Sequence, residues 1–121
     1  MEWKNTEILT EQSIGFVYMI TNNLTNEFYI GKKNLTAYKT INKKKVYKES
    51  NWKQYYGSNK DFLQHIKLSG KENFTRTILK ACNSPYQLTY NELKYQILMN
   101  WESEKCWNSN LLGKFYKNKV K

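Results

Sequence analysis

The sequence predicts an α+β fold, a small three-stranded antiparallel sheet flanked by helices. Three observations predict it. Two short runs of β-branched and aromatic residues, at 15–20 and 27–31, flank an Asn-rich turn, which is hairpin chemistry. A third such run follows at 74–81. Two further segments carry apolar residues at helical spacing behind serine starts. Short connections between strands, with helices interposed, give this class rather than a parallel sheet.

Each element has its own reasons. Gly15-Phe16-Val17-Tyr18-Met19-Ile20 has strand composition, and Thr21 to Asn26 is turn chemistry. Glu27-Phe28-Tyr29-Ile30-Gly31 completes the hairpin. Residues 32–53 hold eight lysines against Glu49 alone, interleaved with Leu35, Tyr38, Ile41, Val46 and Tyr47. That alternation predicts a β-rich excursion turning near Asn42–Lys45. Ser58 is the expected N-cap of a helix carrying Phe62, Leu63 and Ile66, which Gly70 stops. Phe74 to Ala81 is the third strand. Ser84-Pro85 opens a second helix, with serine capping and proline at its first position, expected to reach about Trp101. A basic tail from Lys114 holds Lys117, Lys119 and Lys121. One domain over 1–121 is expected from a length of 121 residues.

Charge says most about partners. The formal net charge is +10, from 20 Lys and Arg against 10 Asp and Glu, which points to a polyanion such as nucleic acid. No apolar run approaches the roughly 20 residues of a membrane helix, so no membrane is expected. Cys82 and Cys106 lack metal-site spacing, and the N-terminus does not read as a signal peptide. Both favour a reducing, cytoplasmic setting. Arg76 is the only arginine, Asp61 the only aspartate and His65 the only histidine. A zinc site built on several histidines is therefore excluded, and His65, with Phe62 and Ile66 beside it, reads as structural or exposed rather than catalytic.

Two features could carry chemistry. If the first two strands pair about their Asn-rich loop, Tyr18 and Tyr29 can approach on one face. Tyrosines are also good strand formers, and ten occur here, so pattern alone leaves both readings open. Glu92 lies on the second helix between Leu88 and Gln96, in a stripe with Tyr95 and Met99. A carboxylate in such a stripe is costly to bury unpartnered. A divalent cation, or a lysine at the helix edge, would account for it.

These residues bring the sequence to a resemblance. Gly15-Phe16-Val17-Tyr18 followed by Tyr29-Ile30-Gly31-Lys32 is similar to the paired motifs of the GIY-YIG nucleases, with the first motif degenerate and the second intact. Trp52 to Ser58, Glu72-Asn73-Phe74, Asn91 to Gln96 and Trp107-Asn108 resemble phage-type members in the same order. The similarity runs from about Gly15 to Asn108.

The resemblance implies a metal-dependent endonuclease acting on double-stranded DNA, encoded by a phage or mobile element to cut competing or host DNA in a bacterial cytoplasm. It implies Mg²⁺ or Mn²⁺ held by Glu92. It implies that Tyr18 accepts a proton from the attacking water, directly or by orienting it, and that Tyr29 holds the water or the scissile phosphate. Lys32 would lower the phenol pKa or contact phosphate, and Asn108 would support the site through hydrogen bonds. Where many members carry an arginine this chain has Lys39 in a segment that does not match, so Lys39, Lys48 and Lys53 are alternatives for a phosphate clamp. No appended DNA-binding module is expected after the domain. DNA contact would then fall to Lys33, Lys39, Lys43, Lys44, Lys45, Lys48, Trp52 and Lys53, with Tyr38 and Tyr47 among them. Monomer and homodimer both remain open. The alternative is an inactive DNA-binding module of the same fold.

Overall fold

The computed structural model describes residues 2–120; Met1 and Lys121, the latter counted in the basic tail, lie outside the described residues. The central sheet is β1 (Gly15–Asn22), β2 (Phe28–Asn34) and β5 (Phe74–Cys82), antiparallel in the order β2-β1-β5. Between β2 and β5 come β3 (Thr36–Ile41), β4 (Lys44–Glu49) and α1 (Lys60–Ser69). After β5 come α2 (Pro85–Leu98), β6 (Asn110–Leu111), β7 (Phe115–Tyr116) and the short α3 (Lys117–Val120). Among the described residues, no helix is long and apolar enough to cross a membrane.

The β1–β2 turn is closed by Asn22. Its Oδ1 accepts from the Leu24 N–H at 2.9 Å, and Asn26 takes the left-handed conformation at φ 66°. This is the self-bonding for which asparagine is used in turns. The resulting register sets Tyr18 opposite Gly31 and Ile20 opposite Tyr29. On the other side of β1 the register shifts between Val17 and Tyr18, so Leu79 is an extra residue in β5. Such a bulge re-aims the strand beside it, and here it falls next to Tyr18.

Alternation along the strands gives the sheet two apolar faces. Phe16, Tyr18, Ile20, Phe74 and Ile78 pack with Phe62 and Ile66 of α1 and with Trp3 and Tyr56. On the opposite face, Val17, Ile30 and Cys82 pack with Leu88 of α2. A third, smaller cluster joins Trp101, Cys106 and Leu111.

Several boundaries differ from expectation. The cap of α1 is Asn59, whose side chain accepts from the Phe62 N–H at 3.0 Å; Ser58 stands one residue too early. Ser84 caps α2 as expected, accepting from the Gln87 N–H at 3.1 Å. That helix ends at Leu98 rather than near Trp101, because Asn100 is left-handed at φ 59° and Trp101 turns into the third cluster. Met99 therefore lies beyond the helix and is exposed, so the stripe around Glu92 is shorter than expected.

The lysine-rich excursion divides in two. Lys32, Lys33 and Asn34 extend β2, and only β3 and β4 form a separate hairpin. Its turn is Asn42-Lys43, both with positive φ, the two-residue geometry that matches strand twist. The basic tail is likewise structured. Lys117 donates its ammonium to the carbonyls of Ser103 and Cys106, at 3.2 and 2.7 Å.

The N-terminal segment adds a parallel bridge to the free edge of β5, with the Lys4 N–H donating to the Arg76 carbonyl at 2.8 Å. Arg76 is interior. Its guanidinium lies over the rings of Trp3 and Tyr56 and donates to the Lys53 and Tyr55 carbonyls. The chain's single guanidinium thus ties loops to the core.

Candidate active site

Strand β2 forms one edge of the sheet, and groups from both faces meet around it. Tyr29 points to the α1 face. Its ring stacks on Phe62 at 5.5 Å and lies 6.3 Å from the Tyr18 ring, centroid to centroid. Glu92 and Gln96 come from α2 on the other face. Asn108 arrives from the segment after α2. Tyr29, Glu92, Gln96, Asn108 and the α1 cap Asn59 line one polar pocket of about 190 Å³.

Asn108 holds the β2 edge in place. Its Oδ1 accepts from the Ile30 N–H at 2.9 Å and its Nδ2 donates to the Ile30 carbonyl at 2.7 Å. Gln96 Nε2 donates to the same carbonyl at 3.2 Å. An edge strand leaves its outward backbone groups unpaired, and two amides satisfy those of Ile30. The pocket therefore sits on a fixed strand.

Glycine at 31 has a steric cause. A Cβ there would lie 2.7 Å from Cζ of Tyr18 and 3.1 Å from Cε2 of Tyr29. Only a residue without a side chain lets the Tyr18 phenol pass over β2 beside Tyr29. The departure at Phe16 also has a physical account. That ring is fully buried and packs edge-on against Trp3 at 5.1 Å and Trp52 at 5.8 Å.

The electrostatics follow from burial. Tyr18 is 1% exposed, and burial pushes its phenol well above the usual tyrosine range, with Tyr29 and Tyr55 adding to the effect. It does not line the pocket; it stands one ring deeper. Tyr29 is raised less. Burial is again the main cause, a hydrogen bond with Ser58 opposes it, and the charge of Glu92 reinforces it. Burial also raises the Glu92 carboxyl, and Lys32 opposes this through its charge and its backbone N–H.

Lys32 lies in an adjoining groove of about 510 Å³ with Lys33, Tyr38, Tyr55 and Thr89, and donates to Thr89 Oγ1 at 2.9 Å. Lys33 extends over the Tyr55 ring at 4.2 Å, and burial lowers its pKa. Among the described residues no three His, Cys, Asp or Glu side chains gather to cage a metal, and Glu92 is the one carboxylate lining the pocket.

With the geometry in hand, comparison with known proteins is direct. Residues 2–120 match the family model described as "Putative endonuclease segE, GIY-YIG domain". This chain belongs to the GIY-YIG endonuclease family. No curated protein and no solved structure matches it.

The candidate site of this GIY-YIG domain brings together Tyr29, Glu92 and Asn108 in the pocket, with Lys32 beside Glu92 and Tyr18 behind Tyr29. It does not gather the three lysines considered for a phosphate clamp. Lys39 and Lys48 are exposed on the β3–β4 hairpin, and Lys53 pairs with Glu49 at 3.5 Å. None of them lines the pocket or the groove, whereas Lys33 does line the groove. Lys43, Lys44 and Lys45 stand at the exposed hairpin turn. Trp52 is half-buried against Phe16, and its carbonyl accepts from Trp3 Nε1 at 2.8 Å. Its ring also carries the Lys53 ammonium at 5.7 Å.

Sequence reasoning missed Gln96, Asn59 and Tyr55 as parts of the site. Gln96 carried a signal: a glutamine one turn beyond Glu92 on a packed helix face needs a buried partner. Tyr55 carried none among ten tyrosines.

Proposed function

We propose that this GIY-YIG domain is an active, divalent-metal-dependent endonuclease that hydrolyses phosphodiester bonds in double-stranded DNA. The observation that carries the reading is the convergence of Tyr29, Glu92 and Asn108 in one polar pocket beside the Lys32–Lys33 groove. Duplex DNA supplies the phosphates that this groove's ammonium groups attract.

The donor set fits Mg²⁺ or Mn²⁺. Such an ion keeps several waters and is held by one or two carboxylates together with substrate phosphates, not by an all-protein cage. Glu92 is one carboxylate, kept ionisable by Lys32. When bound, the ion neutralises charge on the phosphate and on Glu92 itself.

The chain's own groups do the rest. Tyr29 is the phenol that reaches the pocket, so it contacts the attacking water; as its phenolate it takes the water's proton and becomes the neutral phenol, while the water oxygen bonds to phosphorus and the bond from phosphorus to the leaving oxygen breaks. Neutralising Glu92 removes one cause of its raised pKa, and the Ser58 hydrogen bond already lowers it. Tyr18 acts from behind, packing beside Tyr29 and fixing its ring through the bare surface of Gly31. Lys32 and Lys33 hold the phosphates flanking the scissile bond as point charges. Asn108 keeps β2 rigid under Tyr29.

One pocket cuts one strand per encounter, so a monomer nicks and a homodimer can break both strands. A phage or mobile element expressing the enzyme in a bacterial cytoplasm would use it against competing or host DNA. The test is incubation with supercoiled plasmid and long phage DNA, with Mg²⁺, with Mn²⁺ or with chelator. Nicked or linear product that needs the metal is expected. Duplex binding without cleavage under every metal condition would instead make the protein an inactive binding module.

A further inference from the structure

Among the described residues, no other strand pairs with the β3–β4 hairpin. It pairs only with itself, and all its residues except Ala37 are exposed. A lone two-stranded sheet is marginal in water unless something packs on it. Tyr38 and Tyr47 are nonetheless 57% and 63% exposed. Five lysines lie between Lys39 and Lys48, and the hairpin's one acid, Glu49, is already paired with Lys53. A partner suited to this charge is a polyanion.

The register separates the two faces. Cross-strand partners share a face, so Tyr38 with Tyr47 and Thr40 with Lys45 lie on one side. The two tyrosine rings are 5.7 Å apart, and the Lys45 ammonium sits 4.7 Å over Tyr38. Lys39, Lys44 and Lys48 lie on the other side, with Ile41 and Val46. Tyr38 also lines the groove that holds Lys32 and Lys33, and Lys32 reaches Glu92. Tyr38 thus joins the tyrosine face to the groove whose Lys32 backs Glu92.

We propose that this hairpin enters the major groove of the duplex beside the cleavage point and selects sites by reading base edges through its Tyr38–Tyr47 face. The inference rests on the nuclease reading above and adds where sequence is read. A B-form major groove about 12 Å wide admits a two-stranded ribbon and distinguishes all four base pairs, whereas the minor groove, about 6 Å wide, distinguishes little beyond A·T from G·C. Phenolic hydroxyls, Thr40 and Lys45 present hydrogen-bonding groups to base edges. Lys39, Lys44 and Lys48 bend their long stems to the phosphates at the groove rim, which adds affinity without sequence information.

Two variants of the full chain separate these roles: Tyr38→Ala with Tyr47→Ala, and Lys39→Ala with Lys44→Ala and Lys48→Ala. Three measurements are made on each. They are the cut-site map on long phage DNA with Mg²⁺, affinity for mixed-sequence DNA duplex in chelator at several salt concentrations, and affinity for an RNA duplex of the same sequence. Thermal melts confirm that both remain folded, since the hairpin is outside the packed clusters. The tyrosine pair is expected to change the map and to weaken cleavage at preferred sites roughly tenfold to a hundredfold, with the salt slope kept. The lysine triple should weaken all DNA duplexes alike and reduce the slope by about 0.9 per lost contact. RNA, whose A-form major groove is too narrow for a ribbon, should bind without depending on the tyrosines. An unchanged map with the tyrosine pair overturns the proposal while leaving the nuclease reading intact. So does RNA affinity that falls with the tyrosines as far as DNA affinity does. A wild-type chain that neither binds nor cuts duplex DNA under any metal condition removes the nuclease reading and this proposal with it.

Discussion

Asn108→Ala separates holding the strand from doing chemistry. The Asn108 amide is 5% exposed and makes both backbone bonds to Ile30, at 2.9 and 2.7 Å. Alanine leaves the Ile30 N–H without its acceptor, and a buried unsatisfied donor costs about 1–3 kcal/mol. The Ile30 carbonyl keeps its bond from Gln96 at 3.2 Å, so its loss is partial. With about 1 kcal/mol for that weakened bond, the total is about 2–4 kcal/mol. Unfolding entropy for a chain of 121 residues is about 0.25 kcal/mol/K. The melting temperature should therefore fall by roughly 8–16 °C. Asn108→Asp adds a signature. It places an oxygen against the Ile30 carbonyl, so its buried carboxyl is held above the usual range. Stability is then fully present below the ordinary Asp value of about 3.9, is lost as pH rises from there to the raised value, and levels off above it. Calorimetry from pH 4 to 8 reads both effects, and cleavage is assayed well below each melting point. If Asn108→Ala melts within about 2 °C of wild type yet cleaves a hundredfold more slowly, the amide acts on substrate and the strand-holding argument fails.

The other predictions concern the pocket itself. Gly31→Ala forces a methyl against Tyr18 and Tyr29, so it should cost about 1–3 kcal/mol and, through misplaced phenols, about 10²-fold in rate; a melt and a turnover assay at wild-type level would dismiss the clash. Tyr29→Phe should lower cleavage by about 10²-fold or more. Tyr18→Phe should lower it by less, since Tyr18 is remote from the pocket, and the reverse order in single-turnover rates would exchange their roles. Glu92→Gln should abolish metal-dependent cleavage while leaving the protein at least as stable. Because burial raises the Glu92 carboxyl above its ordinary value of 4.5, the wild type loses stability from this group as pH rises through the interval between that value and the raised one. The glutamine variant does not, so its advantage should grow across that interval and level off above it. An advantage that shrinks with rising pH, or cleavage at wild-type rate, would contradict the assignment of Glu92.

The three central strands and both main helices were legible because their signals are local. Alternation, Asn-rich turns and the Ser84-Pro85 start each act within a few residues. The cap at Asn59 was missed because Ser58 and Asn59 are equally good caps on chemistry, and only the Phe62 N–H geometry separates them. The approach of Tyr18 to Tyr29 could be anticipated from strand pairing, since residues two apart share a face. Its depth could not. Whether Tyr18 meets solvent depends on Tyr55 and Gly57, nearly forty residues further along the chain. The half-burial of Trp52 was not legible for a related reason: an exposed and a packed indole look alike in sequence, and only its contacts with Trp3 and Phe16 separate them. Membership of the family came from motifs, which report the fold and the pocket more directly than composition does.

The β3–β4 hairpin leaves and rejoins the fold at two nearby points. The Ser50 N–H donates to the Leu35 carbonyl at 2.9 Å, and the Ser50 hydroxyl donates to the Asn34 carbonyl at 2.6 Å. Everything between these points can lengthen or shorten in paired residues while the closure stays the same. Loop-closure entropy grows only logarithmically, about 0.6 kcal/mol for each doubling. On the proposed reading, target choice and chemistry are therefore separable in inheritance: related chains could exchange hairpins of different length and lettering without renegotiating the strand, helix and amide contacts of the pocket.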